Sequence, residues 1–225
     1  MGQQINLLES LPRVIRDPKL LEARRKVKGD GEAFISCMYG HDYFDGDRKY
    51  GYGGYYRDER WWPVAQDIVK YYKLNTWGSK VLDVGCAKGY LVEALWDLGM
   101  NVYGLDVSRY AVKNCPMDMV GRIHRGDILD IHFPDDSFDL VLAINVVHNI
   151  DEKHLYLAFK ELQRVSRKDC FITVDSYRNE EEKAIFEDWV LTAKSHGYPS
   201  WWLNKFAECN YTGDYDFTIW TSGYD

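Results

Sequence analysis

The stretch 80–106, KVLDVGCAKGYLVEALWDLGMNVYGLD, constrains the fold of this chain more than any other part of it. A short apolar run at 81–84 leads into a turn at 85–89 that contains two glycines. Apolar residues then recur at helical spacing over 90–98, and a second apolar run at 101–105 ends on a carboxylate. The pattern predicts a strand, a turn, a helix and a second strand parallel to the first. Units of this kind build an α/β sheet with helices on its faces.

The turn and the carboxylate after the second strand predict a site for a nucleoside cofactor. Gly85 and Gly89 allow a ligand to approach the backbone closely, and Asp106 can accept hydrogen bonds from two ribose hydroxyls. The spacing is G-x-A-x-G instead of the dinucleotide fingerprint G-x-G-x-x-G, and Asp83 lies just before the first glycine. A carboxylate there repels a pyrophosphate and attracts a ligand with an ammonium group and a sulfonium, such as S-adenosylmethionine (SAM).

The unit resembles motif I of the class I SAM-dependent methyltransferases, D-x-G-x-G-x-G, with Ala87 in place of the middle glycine. The resemblance covers roughly residues 60–221 and continues in Gly126-Asp127-Ile128 and in the run HFPDDSFDLVLAINVVHNI. It implies a Rossmann-like, doubly wound, mainly parallel sheet with an antiparallel last strand. The N-P-P-Y or N-P-P-F motif of amino-group and base methyltransferases is absent after the fourth strand, so the chain looks more like bacterial small-molecule methyltransferases.

The resemblance also implies a set of cofactor-binding residues. These are Asp83, Gly85, Cys86, Ala87, Gly89, Asp106, Val107, Asp127, Ile128 and Asn145. The first five correspond to the methionine side of the SAM site, with Cys86 contributing its backbone. Asp106 corresponds to the ribose ligand, and Val107 and Ile128 pack against the adenine. Asp127 accepts from the adenine amino group, and Asn145 lies near the transferred methyl.

Three residues are candidates for catalysis: His148, Asn145 and Asp175. An oxygen acceptor can require a base, and His148 is the best candidate because histidine exchanges a proton near neutrality. The alternatives are that His148 only shapes the site and that alignment alone suffices. Aromatic and basic residues are expected to bind an anionic or sugar-like acceptor at the same cleft. They are Tyr55, Tyr56, Arg57, Tyr177 and Arg178.

The segment 29–62 combines many aromatic residues with glycines and charges and shows neither a helical nor a strand period. It is predicted to be rich in loops and to serve either as a lid over the site or as a packed coat. Before it, residues 5–28 are predicted to be helical and interrupted by two prolines; their basic end packs on the domain or contacts a partner. We therefore divide the chain into an N-terminal helix and aromatic lid segment, 1–62, and a methyltransferase domain, 63–225.

The remaining elements follow from local patterns. Helices are predicted at 63–74, 109–114 (capped by Ser108), 151–165, 179–194 and 199–209, and strands at 122–125, 138–144, 170–174 and 217–221. Strands that alternate with helices predict an α/β chain with a mainly parallel sheet.

Composition excludes several classes of function. The net charge of −7 over 225 residues argues against a nucleic-acid partner. Five cysteines without a C-x-x-C pair and histidines without ligand spacing predict reduced thiols, a cytoplasmic location and no metal. No apolar run is long enough for a membrane, and the first residues show no signal pattern.

The sequence thus predicts a SAM-dependent methyltransferase that forms S-adenosylhomocysteine while methylating an oxygen of a small polar molecule. N-methylation of a small amine or a protein side chain, and an inactive SAM-binding regulatory subunit, remain alternatives. An NAD-dependent oxidoreductase is disfavoured by the turn spacing. The oligomeric state is not predicted.

Overall fold

Six strands form a single sheet in residues 2–11 and 18–219, the part of the chain that the computed structural model describes. The strands are β1 (Lys80–Val84), β2 (Asn101–Asp106), β3 (Ile123–Arg125), β4 (Phe138–Ile144), β5 (Ser166–Ser176) and β6 (Asp214–Ile219). Their order is β3-β2-β1-β4-β5-β6, so the direction in which strands are added reverses between β1 and β4. In open α/β sheets ligands bind at this reversal, beyond the carboxyl ends of the strands.

Helices lie before and between the strands. They are α1 (Pro18–Val27), α2 (Asp30–Cys37), α3 (His41–Phe44), α4 (Trp61–Tyr71), α5 (Tyr90–Asp97), α6 (Arg109–Lys113), α7 (Leu155–Val165), α8 (Glu180–Trp189) and α9 (Pro199–Glu208). The predicted cap of α6 is confirmed, because the Ser108 hydroxyl accepts a hydrogen bond from the Ala111 amide at 2.9 Å. The doubly wound, mainly parallel sheet is also confirmed.

The prediction of an antiparallel last strand is wrong. β6 pairs with β5 in parallel, from Phe171 opposite Asp214 to Ser176 opposite Ile219. The physical reason is the connection: α8 and α9 lie between these strands and return the chain to the end of the sheet where β5 began. Beyond β6, the Ile5 amide donates to the Tyr215 carbonyl at 2.9 Å, which pairs part of the outer edge of the sheet.

Both faces of the sheet are covered by helices, as expected for parallel strands that are apolar on both sides. On one face the side chains of α7 and α9, including Phe159, Trp202 and Phe206, pack in one buried cluster. On the other face α4 and α5 contribute Ile68 and Leu95 to a second cluster. This packing holds the strand ends, and therefore the loops that follow them, in fixed positions.

The N-terminal segment is more regular than predicted. The prediction of an irregular segment from 29 to 62 is wrong for α2 and α3, and holds for 45–60. These helices have only eight and four residues and are separated by a turn, so no single apolar period runs through the segment. The predicted helix 5–28 is observed only as α1, while residues 7–10 form turns and residues 12–17 lie outside the described part of the chain.

Asp139 fixes the amino ends of three strands, opposite to the edge where ligands are expected. Its carboxylate accepts from the Lys80 amide at 2.9 Å, from Arg167 Nε at 2.9 Å and lies 3.0 Å from Lys168 Nζ. The hydrogen bond from Arg167 is the largest cause that holds the pKa of Asp139 well below its ordinary value. Asp139 is therefore ionised in the folded protein at neutral pH.

We expect Asp139→Asn to lower the free energy of unfolding by about 2 kcal/mol at pH 7, because the charge-assisted bonds are lost. A depressed pKa stabilises the fold above the unfolded-state value near 4 and loses this effect as pH falls. The difference between variant and wild type should therefore shrink below about pH 4, as measured by urea unfolding across pH. A constant difference across this range would contradict the assignment.

Candidate functional site

A cleft of about 1510 Å³ lies at the carboxyl ends of β1, β2 and β4, beside the reversal of strand order. Most of the residues that the sequence assigned to the site line it. They are Asp83, Gly85, Cys86, Ala87, Asp106, Val107, Asp127, Ile128, Asn145, Tyr55, Tyr56 and Arg178. The cleft is large enough for a nucleoside cofactor together with a small second molecule.

The turn after β1 requires its glycines. Gly85 has φ 76°, and a side chain there would overlap Val146; Gly89 has φ 82°, and a side chain there would overlap Ile123. Ala87 also lies in the left-handed region, with φ 53°, which alanine adopts at a cost of about 1 kcal/mol. Gly89 itself does not line the cleft, but is the residue that precedes α5.

Asp106 joins this turn to the loop after β2. Its Oδ2 accepts from the Ala87 amide at 2.7 Å, and its Oδ1 accepts from the Ser108 amide at 2.7 Å. Burial raises the pKa of Asp106 to about 6, although both hydrogen bonds lower it. Each carboxylate oxygen keeps a second lone pair with which it can accept from a ligand.

Asp83, in β1, places a second buried carboxyl in the wall of the cleft. Burial, followed by the nearby charge of Asp106, raises the pKa of Asp83 to about 7. Two carboxylates that are this poorly solvated attract a cation. The cleft therefore favours a positively charged ligand on this side.

Asn145 follows β4 in the left-handed region, with φ 56°, which asparagine tolerates better than most residues. Its Oδ1 accepts from the hydroxyls of Thr173 and Thr218 at 2.9 and 2.8 Å. This orients the side-chain amide so that its NH₂ group can donate to a ligand. The two threonines come from β5 and β6, and their role was not predicted because it depends on the parallel direction of β6.

The far end of the cleft combines an exposed acid with apolar side chains. Asp127 is exposed, and its Oδ1 accepts from the Leu129 amide at 2.9 Å. Ile128 is buried, whereas Val107 is 48% exposed within the wall. An apolar surface with an acceptor at its rim fits a purine ring with an exocyclic amino group.

The opposite wall consists of tyrosines from the N-terminal segment. Tyr39, Tyr43 and Tyr52 line the cleft beside the predicted Tyr55 and Tyr56. The Tyr52 and Tyr55 rings lie 4.7 Å apart, and those of Tyr39 and Tyr43 pack edge to face at 5.1 Å. The first three were not predicted, although the aromatic richness of 29–62 pointed to the segment that contains them.

Burial raises the pKa of Tyr39, Tyr43 and Tyr55, so these phenols remain neutral at physiological pH. The wall is therefore uncharged and combines ring faces with hydroxyl groups.

Several predicted residues do not line the cleft. His148 is 5% exposed; its Nδ1 accepts from the Asp175 amide at 3.1 Å, and its Nε2 lies 3.4 Å from Asp175 Oδ2. The interpretation that Asp175 and Tyr177 face the cleft is wrong. Asp175 is a buried residue of β5, and Tyr177 packs against Phe186 of α8.

The reason for this burial lies in α8. The predicted helix 179–194 ends at Trp189, and the chain that follows covers His148: the amides of Lys194 and Ser195 donate to its carbonyl at 2.8 and 3.0 Å. Burial lowers the pKa of His148, although Asp175 raises it. The imidazole is therefore neutral, and because Nδ1 accepts, the proton lies on Nε2.

Arg57 does not line the cleft either, because its Nε binds Glu93 on α5 at 2.8 Å. The basic residues that do line it are engaged. Arg60 binds Asp58, Arg178 binds Glu182, Lys194 lies 3.4 Å from Asp151, and Arg48 donates to the Tyr52 carbonyl. The carboxylates in the lining are Glu9, Asp58, Asp83, Asp106, Asp127, Asp151 and Asp216, so acids outnumber bases.

Within residues 2–11 and 18–219, no group of histidine, cysteine and carboxylate side chains is arranged to hold a metal ion. Across the same residues, the helices are too short or too polar to cross a membrane.

Comparison with known proteins gives one family and several relatives. The family model for a methyltransferase domain matches residues 82–174. The 2-methyl-6-phytyl-1,4-hydroquinone methyltransferase of Synechocystis is 28% identical, over 74% of this chain and 57% of the relative. A ubiquinone biosynthesis O-methyltransferase of Thiobacillus denitrificans is 35% identical, over 29% of this chain and 31% of the relative. The chain thus spans little more than half the length of the first of these curated relatives and about a third of the second.

Solved structures show the same fold. A Haloferax volcanii methyltransferase in complex with the Trm112 methyltransferase activator superposes with a TM-score of 0.53 and 20% identity, over 64% of this chain and 65% of that one. The YcgJ protein of Bacillus subtilis gives a TM-score of 0.51 and 18% identity, over 64% of this chain and 66% of that one. At these identities the likeness extends to the architecture alone.

We expect Asp83→Asn to stabilise the ligand-free protein by about 2 kcal/mol at pH 8, measured by urea unfolding. A carboxyl whose pKa rises on folding binds its proton more tightly in the folded state. Its contribution to stability is therefore present at low pH and is lost as pH rises from about 4 through about 7. The gain should disappear at pH 4. Asp97→Asn, at an exposed site on α5, is the matched control and should change stability little at either pH.

Proposed function

We propose that this chain, which belongs to the class I SAM-dependent methyltransferases, transfers the methyl group of SAM to a hydroxyl group on a small ring-shaped acceptor. The observation that carries the proposal is the position of Asp106. It lies beside the glycine turn in a cleft whose opposite wall is built of tyrosines. The cofactor half and the acceptor half therefore face each other across one space.

The residues of the cleft fit SAM. We assign the ribose hydroxyls to Asp106, which retains free lone pairs on both oxygens. The buried carboxyl of Asp83 and the turn 85–89 match the cationic methionine end, and Val107 and Ile128 match the adenine faces. Asp127 supplies an acceptor at the rim. SAM, when bound, supplies an electrophilic methyl on a sulfonium.

Methyl transfer is a direct displacement, so the chain contributes mainly alignment and exclusion of water. Asn145 is the best-placed residue for alignment, because two threonine hydroxyls fix its amide and its NH₂ group is free to orient a bound oxygen. His148 is not assigned as a base, since it is buried against Asp175 and does not reach the cleft. The proton that the acceptor hydroxyl loses on methylation is assigned to water at the exposed mouth of the cleft, where Tyr56 lies. We assign both His148 and Asp175 to support of the loop behind Asn145.

The acceptor class follows from the tyrosine wall and the engaged basic groups. Neutral phenol rings stack on sugar or phenol rings, and their hydroxyls bind ring hydroxyls. One relative is named as a hydroquinone methyltransferase and another as an O-methyltransferase of ubiquinone biosynthesis, which supports a ring acceptor here. An anionic acceptor is less favoured, because Arg178 binds Glu182 and Arg57 does not line the cleft.

N-methylation of an amine is the second candidate. The excess of carboxylates in the lining would attract a cationic acceptor as well as SAM. A screen with paired amine and hydroxyl acceptors, followed by the mass of the product, separates the two.

We also assign residues 1–62 to the acceptor side and 63–225 to the methyltransferase domain, since the tyrosine wall comes from the first of these. All five cysteines are free thiols, which supports a reducing, cytoplasmic location.

The first test is calorimetric titration of SAM, S-adenosylhomocysteine and NAD into wild type and Asp106→Asn. We expect binding of the two adenosyl compounds and not NAD, with affinity for SAM at least tenfold weaker in the variant. The reason is that asparagine replaces one acceptor oxygen with an NH₂ group, which cannot accept from a ribose hydroxyl or from the backbone amide that it faces. Asp139→Asn, altered at the other end of the sheet, is the control for general destabilisation and should bind like wild type. Equal affinity in Asp106→Asn would contradict the ribose assignment.

His148→Gln tests whether this histidine belongs to the site or to its support. We expect the free energy of unfolding to fall by about 1–2 kcal/mol, because a buried hydrogen-bonding ring is lost, while SAM affinity changes less than twofold. With an identified acceptor, turnover should keep its wild-type pH profile. Loss of an acidic limb from that profile would restore His148 as the base.

A further inference from the structure

One partly buried carboxylate, Asp45, binds both loops that surround the proposed cofactor site. Its oxygens lie 2.7 and 2.6 Å from Nζ of Lys88, which belongs to the turn after β1. Its Oδ2 also accepts from the Tyr110 hydroxyl at 2.6 Å, on the helix that follows Asp106. Lys88 is only 6% exposed and the Asp45 side chain is 21% exposed, so most of this ion pair is shielded from solvent. A single residue of the N-terminal segment therefore contacts both the turn 85–89 and the segment that follows Asp106. These two segments together form the proposed cofactor cradle.

The same network fixes Tyr55 in the opposite wall of the cleft. The Tyr55 amide donates to Asp45 Oδ1 at 3.1 Å, and its carbonyl accepts from Lys88 Nζ at 3.0 Å. The Tyr90 hydroxyl donates to that carbonyl at 3.1 Å, and the rings of Tyr55 and Tyr90 stack at 5.3 Å with an angle of 11°. The position of the Tyr55 ring is thus set by groups on the turn and on α5.

The carboxyl of Asp45 is ionised at neutral pH and can therefore keep its ion pair with Lys88. Burial raises the pKa of Asp45, but the bonds from Lys88, Tyr110 and the Tyr55 amide together hold it below its ordinary value. The bond to ionised Asp45 is the largest cause that raises the pKa of Tyr110 to about 12. A buried ion pair adds little net stability compared with apolar residues, so its contribution is better sought in the geometry it imposes.

A second contact joins the tyrosine wall to the same cradle. The Ser108 hydroxyl accepts from the Ala111 amide and donates to the carbonyl of Tyr39. Tyr39 has φ 48°, a conformation that costs energy for an aromatic residue and persists only where surrounding contacts impose it. Two residues of the tyrosine wall, Tyr39 and Tyr55, are therefore held by the loops that flank Asp106.

We propose that Asp45 and Lys88 are positioning residues that couple occupation of the cofactor cradle to the placement of Tyr55 in the acceptor wall. The inference rests on the proposed function, because it takes the turn and the Asp106 loop as the cofactor cradle. Contacts with the bound cofactor stabilise this turn further, and the ion pair transmits that stabilisation to residues 45–60. Coupling between two sites is reciprocal. Loss of the Asp45–Lys88 ion pair therefore weakens cofactor binding and the cofactor-dependent ordering of residues 45–60 by the same factor.

The experiment measures both sides of this coupling with S-adenosylhomocysteine as the probe. Trypsin cleavage after Arg57 and Arg60, both exposed, reports on residues 45–60, and calorimetry gives the dissociation constant. In wild type we expect the ligand to slow cleavage about tenfold. In Asp45→Asn the protection should fall below twofold, and the dissociation constant should rise about five- to tenfold, in keeping with the reciprocity of coupling.

Matched variants separate positioning from general damage. Lys88→Arg keeps the charge and can bind both oxygens of Asp45, so protection should be restored relative to Lys88→Met. Lys26→Met removes an exposed lysine that pairs with Glu22 on α1, and it should behave like wild type. If Asp45→Asn does not fold, Lys88→Met carries the same comparison.

The outcomes are distinct. Full protection in folded Asp45→Asn or Lys88→Met overturns the inference, and so does a wild-type protein that binds S-adenosylhomocysteine without protection; both leave the proposed function intact. A wild-type protein that binds neither adenosyl compound overturns the proposed function, and the inference with it.

Discussion

The hydrogen bonds of Asp106 hold the site together. One carboxylate oxygen binds the Ala87 amide and the other the Ser108 amide, so a single side chain joins the loops that follow β1 and β2. This arrangement depends on the parallel pairing of the two strands, which brings both ends to one edge of the sheet. It also depends on the left-handed conformation of the turn, which turns the Ala87 amide towards Asp106.

The site is organised at a cost to stability, and the core offsets that cost. Asp83 and Asp106 are buried with raised pKa values, which marks them as poorly solvated when ionised. Helices on both faces of the sheet bury two apolar clusters and fix the strand ends to which these carboxyls belong. Such destabilised, preorganised groups are typical of functional sites, because a ligand can then replace the missing solvation.

The parts of the fold that depend on neighbouring residues could be predicted from the sequence, and those that depend on distant contacts could not. The turn at 85–89, the carboxylate after β2 and the Ser108 cap are local patterns. The direction of β6 depends on the path of α8 and α9, and the burial of His148 depends on where α8 ends. Tyr39 belongs to the wall because a hydroxyl from another loop holds its backbone, which no periodicity indicates.

The charge of the cleft distinguishes the donor of the proposed reaction from its product. Methyl transfer converts a sulfonium into a neutral thioether, so the carboxylates that attract SAM lose one of the two positive charges that they face. In a poorly solvated site this loss weakens binding more than it would in water. The neutral tyrosine wall offers no compensating interaction with charge, because it presents only ring faces and hydroxyls to the cleft. Product release is therefore favoured by the same carboxylates that favour binding of the donor.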